Sequence, residues 1–176
     1  MKRQYIVIQD LRQILKEGEI LVESPENVFR RINAKDTDGS LSREMFGDEF
    51  DNYLVPVRKT LVMYCDASYD KDTGALGVAS TFNLDGEAKD SVVGDFSPTM
   101  DNNLAETHAI GMACNSIFHE LRQIEFKQGD VDLFLYSDSK EAIRYIEEAA
   151  GGSNHRAVAT KALESLNRFN SFTLKH

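Results

Sequence analysis

Thr60 to Ser68 (TLVMYCDAS) is a near-continuous apolar run that meets a carboxylate at Asp66. A short apolar run of this length predicts a strand buried on both faces of a sheet, with an acid at its carboxyl end. In open α/β sheets the carboxyl ends of strands are where ligands bind, so Asp66 is a candidate functional residue.

Two further strands follow, Gly74 to Phe82 (GALGVASTF) and Ala88 to Phe96, with hairpin chemistry in Leu84-Asp85-Gly86 between them. Asp101 or Asn102 can cap a long helix whose apolar positions, Ala105, Ala109, Met112, Ala113, Ile117, Leu121 and Ile124, recur at helical spacing. Gly129 ends it. Val131 to Tyr136 (VDLFLY) is a fourth strand, and it too runs toward an acid, Asp138. Ser139 to Ala150 reads as a helix stopped by Gly151-Gly152. Ser153 is placed as the cap of another helix reaching about Phe169, and Ser171 to Lys175 forms a fifth strand. The order βββαβααβ implies an α/β fold, a mixed five-stranded sheet flanked by helices.

The first part of the chain is expected to be a small α+β extension over residues 1–58, with the main domain over 59–176. The boundary is set near Pro56-Val57-Arg58-Lys59, where a charged stretch gives way to the apolar strand. Tyr5 to Leu15 reads as a strand passing into a short helix, and Glu19 to Glu23 as a strand. Ser24-Pro25-Glu26 supplies an N-cap with proline at the first helical position, so Pro25 to Ile32 is expected to be a short helix. Asp36-Thr37-Asp38-Gly39 reads as a turn, because its glycine comes too early for a calcium loop.

Three acids stand where a carboxylate is awkward unless used: Asp66 and Asp138 at strand ends, and Glu106 beside the apolar stripe of the long helix. Converging like charges repel and shift one another's pKa unless cations bridge them. Magnesium or manganese suits such a site, being a hard ion that prefers oxygen ligands and keeps waters for a phosphate. Each acid alone has an ordinary explanation as a turn, a cap or a dipole partner. The joint pattern carries the argument.

Residues 60–176 resemble the ribonuclease H family in three blocks. Tyr64-Cys65-Asp66-Ala67-Ser68, followed by Gly74 and Gly77, is similar to the family's first strand with its D-x-S motif. Asn102-Asn103-Leu104-Ala105-Glu106 is similar to the segment that opens its first helix, and Tyr136-Ser137-Asp138-Ser139 to its (T/S)-D-S motif. The resemblance implies that Asp66, Glu106 and Asp138 are catalytic and ligate two magnesium or manganese ions. Substrate contacts would come from Ser68, Asn102, Asn103 and Ser139, with Asn102 and Asn103 near the 2′-hydroxyl that separates RNA from DNA. Helix capping is the competing role for the two asparagines and for Ser139. The implied activity is metal-dependent endonucleolytic cleavage of the RNA strand of RNA–DNA hybrids. The family continues past its fifth strand into a loop histidine and a helix bearing a fourth carboxylate, whereas these residues stop at His176. Asp70 or Asp72 is then a candidate substitute for that acid.

Charge points elsewhere. The net charge is −9, with 10 Lys+Arg against 11 Asp+Glu in residues 1–59 and 10 against 18 in residues 60–176. Nucleic-acid binders usually carry a basic face, since phosphate neutralisation supplies most of their sequence-independent affinity. The alternative function is therefore a catalytically weak binding or assembly module, reaching a protein partner through its N-terminal segment or acidic surface. Cys65 and Cys114 lie far apart with no CxxC neighbour and are expected as two buried thiols. No apolar run approaches the roughly 18–20 residues of a membrane span, and no secretory leader is read. The expectation is an intracellular, cytoplasmic protein with no membrane partner.

Overall fold

The computed structural model describes residues 3–9, 17–23, 28–31, 41–42, 44, 46–47, 50–84, 87–96, 100–123, 126–148 and 151–176. The chain divides into two compact units, residues 1–58 with 121–130, and residues 59–120 with 131–176.

The first unit is built on an antiparallel sheet ordered β4-β3-β2-β1-β5. Its strands are β1 (Arg3–Val7), β2 (Ile20–Glu23), β3 (Val28–Arg31), β4 (Leu41–Ser42) and β5 (Leu54–Pro56), the last entered from the short helix α1 (Phe50–Tyr53). Tyr5, Phe29, Phe46 and Phe50 pack mostly edge-to-face, with ring centroids 5.4 to 5.6 Å apart, and Leu21, Leu41 and Leu54 complete the core. The helix expected over Pro25–Ile32 is corrected here. Val28–Arg31 is a strand, paired through Val22↔Arg30 and Glu23↔Phe29, and it is the pairing that buries Phe29 completely. The helical half of Tyr5–Leu15, the cap at Ser24–Glu26 and the turn at Asp36–Gly39 lie outside the described residues.

The second unit follows the expected order. Strands β6 (Lys59–Tyr69), β7 (Ala75–Leu84) and β8 (Glu87–Phe96) form an antiparallel meander. The helix α2 (Asn102–Gln123) leads to β9 (Val131–Ser137), and helices α3 (Lys140–Glu147) and α4 (Ser153–Leu166) lead to β10 (Ser171–Lys175). The sheet is ordered β10-β9-β6-β7-β8, with β9 parallel to both its neighbours. Leu84 pairs with Glu87 across the hairpin, whose residues 85–86 lie outside the described ones.

One face of this sheet makes the core. Leu61, Met63 and Cys65 of β6, Leu76 and Val78 of β7, and Val131, Leu133 and Leu135 of β9 are all buried. Leu76 and Val78 meet Ala105 and Ala109 of α2, whose small side chains let the helix lie close to the sheet. Gly111 also permits close approach, because a Cβ there would stand 3.2 Å from the Ala162 Cα of α4. The expectation that β6 is buried on both faces is corrected. Burial alternates along it, and Tyr64 on the other face is 52% exposed, stacked on Tyr136 at 4.8 Å. Asp90 and Val92 of β8 continue that open face, Val92 being 81% exposed.

Local capping explains the helix ends. Ser139 caps α3, its Oγ accepting from the Ala142 amide at 3.2 Å. Gly152, and not Ser153, is the N-cap of α4, with no side-chain bond to the helix. Gly151 before it has φ +89°, a conformation open to glycine and strained for other residues. Among the described residues no helix is long and apolar enough to cross a membrane.

Candidate metal centre

Parallel pairing brings two acids side by side. Tyr64 pairs with Tyr136 and Cys65 with Ser137, so the next residue on β6, Asp66, and the residue that follows β9, Asp138, emerge together at the carboxyl end of the central strands. Helix α2 supplies the third. Asp101 caps it, Oδ1 accepting from the Leu104 amide at 2.8 Å, and Glu106 follows one turn later. One ligand oxygen from each of Asp66, Glu106 and Asp138 falls within 4.8 Å of the others. Asp66 and Asp138 are exposed and Glu106 is half-buried.

Electrostatics at this point are strained in the absence of a cation. Burial, and then the charges of Asp66 and Asp138, push the Glu106 carboxyl up to about 7, partly offset by the Ala67 amide. That amide also donates to Asp66 Oδ1 at 2.8 Å. The same field reaches the other side of β6. The Cys65 thiol is pushed up to about 12, by burial first and then by Glu106, Asp66 and Asp138. It stays protonated at neutral pH, so the oxygen donors stand without a thiolate among them. Three oxygen donors that repel one another fit a hard divalent cation.

Other expected site residues fall around the cluster. Ser68 lies two residues beyond Asp66 on β6 and is exposed. Asn102 and Asn103 open α2 and are exposed; the cap is Asp101, so neither asparagine side chain is needed for that role. Ser139 is taken up by structure, its Oγ capping α3 and its amide donating to Ser137 Oγ at 3.2 Å. Asp70 is drawn away as well. Its Oδ1 accepts from the amides of Asp72 and Thr73 at 2.9 and 3.3 Å, closing the β6–β7 turn. Those bonds, with one from the Thr73 side chain foremost, hold its carboxyl below the usual range. Among the described residues the three-carboxylate group includes neither Asp70 nor Asp72.

Two contacts were not foreseen. His155 Nε2 lies 3.1 Å from Asp101 Oδ2, and His108 Nε2 lies 2.9 Å from Asp95 Oδ2. The first joins residues 54 positions apart, and nothing local in the sequence announces it. Cys65 and Cys114 are both buried thiols, as expected.

Comparison with solved structures bears on this arrangement of strands and helices. Ribonuclease H1 from the halophilic archaeon Halobacterium salinarum aligns with a TM-score of 0.51 at 22% identity, covering 66% of this chain and 84% of that one. LC11-RNase H1, isolated from compost by a metagenomic approach, aligns at 0.54 with 16% identity, over 67% of this chain and 84% of its own. The fold is that of ribonuclease H. LC11-RNase H1 has also been solved in complex with an RNA/DNA hybrid, and that structure aligns with a TM-score of 0.53 at 15% identity, covering 66% and 83% of the two chains. Neither the protein-family models nor the curated proteins yield a match. The ribonuclease H-like sheet thus carries its three acids at the carboxyl end of adjacent parallel strands and on the helix beside them.

Proposed function

We propose that the ribonuclease H-like unit is a divalent-metal-dependent endonuclease that cleaves the RNA strand of RNA–DNA hybrids. The observation that carries the reading is the approach of Asp66, Glu106 and Asp138 to within 4.8 Å on this fold. Magnesium or manganese, two ions in the full reading, would activate a water and offset charge on the phosphodiester. The chain's own part is to hold three oxygen donors on two strand ends and one helix turn, so that little reorganisation is needed on binding.

Around these acids, the exposed amides of Asn102 and Asn103 offer donors and acceptors to a ribose 2′-hydroxyl, which is both donor and acceptor. Ser68 offers a hydroxyl to a neighbouring phosphate. Ser139 serves by capping α3 directly after Asp138, which fixes where that carboxylate leaves the strand.

The test is incubation of the full chain with a labelled RNA–DNA hybrid in magnesium and then manganese, beside the Asp66→Asn variant. Single-stranded RNA and duplex DNA serve as comparison substrates. Cleavage of the hybrid's RNA strand by the wild type alone is expected. No cleavage in either metal, or equal cleavage by Asp66→Asn, removes the proposed role and favours a binding module with this fold.

A further inference from the structure

Helix α2 begins at the point where the site is assembled, and its first turn is fastened by more than its own cap. Asp101 uses both carboxylate oxygens. Oδ1 accepts from the Leu104 amide at 2.8 Å, while Oδ2 meets His155 Nε2 at 3.1 Å. The Asp101 carbonyl accepts from the Ala105 amide at 2.9 Å. An ionised carboxylate only accepts, so the proton lies on His155 Nε2.

His155 belongs to the first turn of α4, and its ring has neighbours besides Asp101. The Tyr145 ring of α3 lies 4.6 Å away, and Gly151 packs beneath it. A Cβ at Gly151 would stand 2.8 Å from the His155 Cβ and 3.2 Å from Tyr145 Cε1, so glycine there leaves room for the imidazole as well as for a φ of +89°. Helix α3 in turn is capped by Ser139, next to Asp138. One continuous set of contacts therefore runs from Asp138 through α3 and Tyr145 to His155, and on through Asp101 to the first turn of α2, which presents Asn102 and Asn103 and leads into Glu106.

We propose that His155 is a positioning residue that fixes the first turn of α2, and with it Glu106, relative to the Asp138 end of β9. The inference deepens the metal-site reading and rests on it. His155 is not one of the three carboxylate ligands; it acts through Asp101. The histidine side chain is 21% exposed and the aspartate 55%, so the contact is partly solvated and its effect is several-fold.

The experiment compares the wild-type chain with His155→Ala, His155→Gln and Gly151→Ala. Two readouts are taken: amide exchange at Leu104 and Ala105, and manganese affinity by calorimetry. His155→Ala should speed exchange at both amides by about threefold to tenfold, in line with loss of one hydrogen bond. It should weaken manganese binding by a similar factor. Gln presents a donor where Nε2 stood, so His155→Gln should restore both; Gly151→Ala, which displaces the ring, should behave like His155→Ala. Unchanged exchange in His155→Ala overturns the inference. Faster exchange with unchanged manganese affinity overturns it too, since the turn would then be fastened without positioning Glu106. A wild type that binds no manganese removes the metal-site reading itself, and exchange alone then decides whether the contact holds the turn.

Discussion

Glu106 is the residue at which the cost of the site is concentrated. Its carboxyl is raised from an ordinary 4.5 to about 7, chiefly by burial and then by Asp66 and Asp138. Well below pH 4.5 the side chain is protonated in both folded and unfolded chains, and it contributes no repulsion. As pH rises toward 7 the unfolded chain gives up a proton that the folded chain keeps. Stability therefore falls across that interval and levels off above it. Glu106→Gln removes the titration. In metal-free buffer this variant should melt higher than wild type above pH 7, with the difference closing as pH approaches 4.5. Magnesium should reverse the order, because binding requires the ionised acid and stabilises the native state. A scan of melting temperature against pH, with and without magnesium, checks both signs. Equal wild-type and variant curves without metal would mean that neither burial nor the charges of Asp66 and Asp138 penalise the ionised Glu106. The sequence made these acids visible one by one, at strand ends and beside an apolar stripe. Their mutual distance depends on the parallel register of β6 and β9, which no local pattern encodes.

At the scale of elements, the strands and helices of residues 59–176 were legible because each repeats its own period over many residues. Helix α2 shows Ala105, Ala109, Ala113 and Leu121 buried along one stripe, as its spacing requires. The short elements of the first unit were not. Val28–Arg31 follows a proline and an N-cap residue, and local chemistry favours a helix there, yet pairing with β2 and the burial of Phe29 among aromatic rings prevail. The central strand was misread in a different way. TLVMYCDAS has apolar residues on both faces, but β6 places Tyr64 outward. The two faces should answer mutation unequally. Leu133 of β9 is 1% exposed, and Leu133→Ala should cost about 2–5 kcal/mol. Val92→Thr on the open face should change stability by no more than about 0.5 kcal/mol. Urea denaturation of the two variants beside wild type measures the contrast. A comparable loss at Val92 would mean that this face is covered in solution.

For the whole molecule the decisive quantity is charge. With a net charge of −9, the 10 Lys+Arg of residues 60–176 are outnumbered by 18 Asp+Glu where a polyanion would have to be met. Each phosphate neutralised by Lys or Arg contributes about −0.9 to the slope of log affinity against log salt on a duplex. Hybrid binding by this chain should therefore show a shallow slope, smaller in magnitude than about 3, where a protein making six or more such contacts would show about 5 or more. Binding should also depend on the divalent ion far more than on ionic strength, because a cation among Asp66, Glu106 and Asp138 removes repulsion at the point where the phosphodiester must approach. Fluorescence anisotropy with a labelled hybrid and Asp66→Asn, titrated in monovalent salt at fixed magnesium and then in magnesium at fixed salt, separates the two dependences. A steep monovalent slope would show that folding gathers the scattered lysines and arginines into a basic face that their sequence count conceals. A shallow slope joined to a strict magnesium requirement would mean that affinity for the hybrid resides in the same three acids to which the cleavage chemistry is proposed to belong.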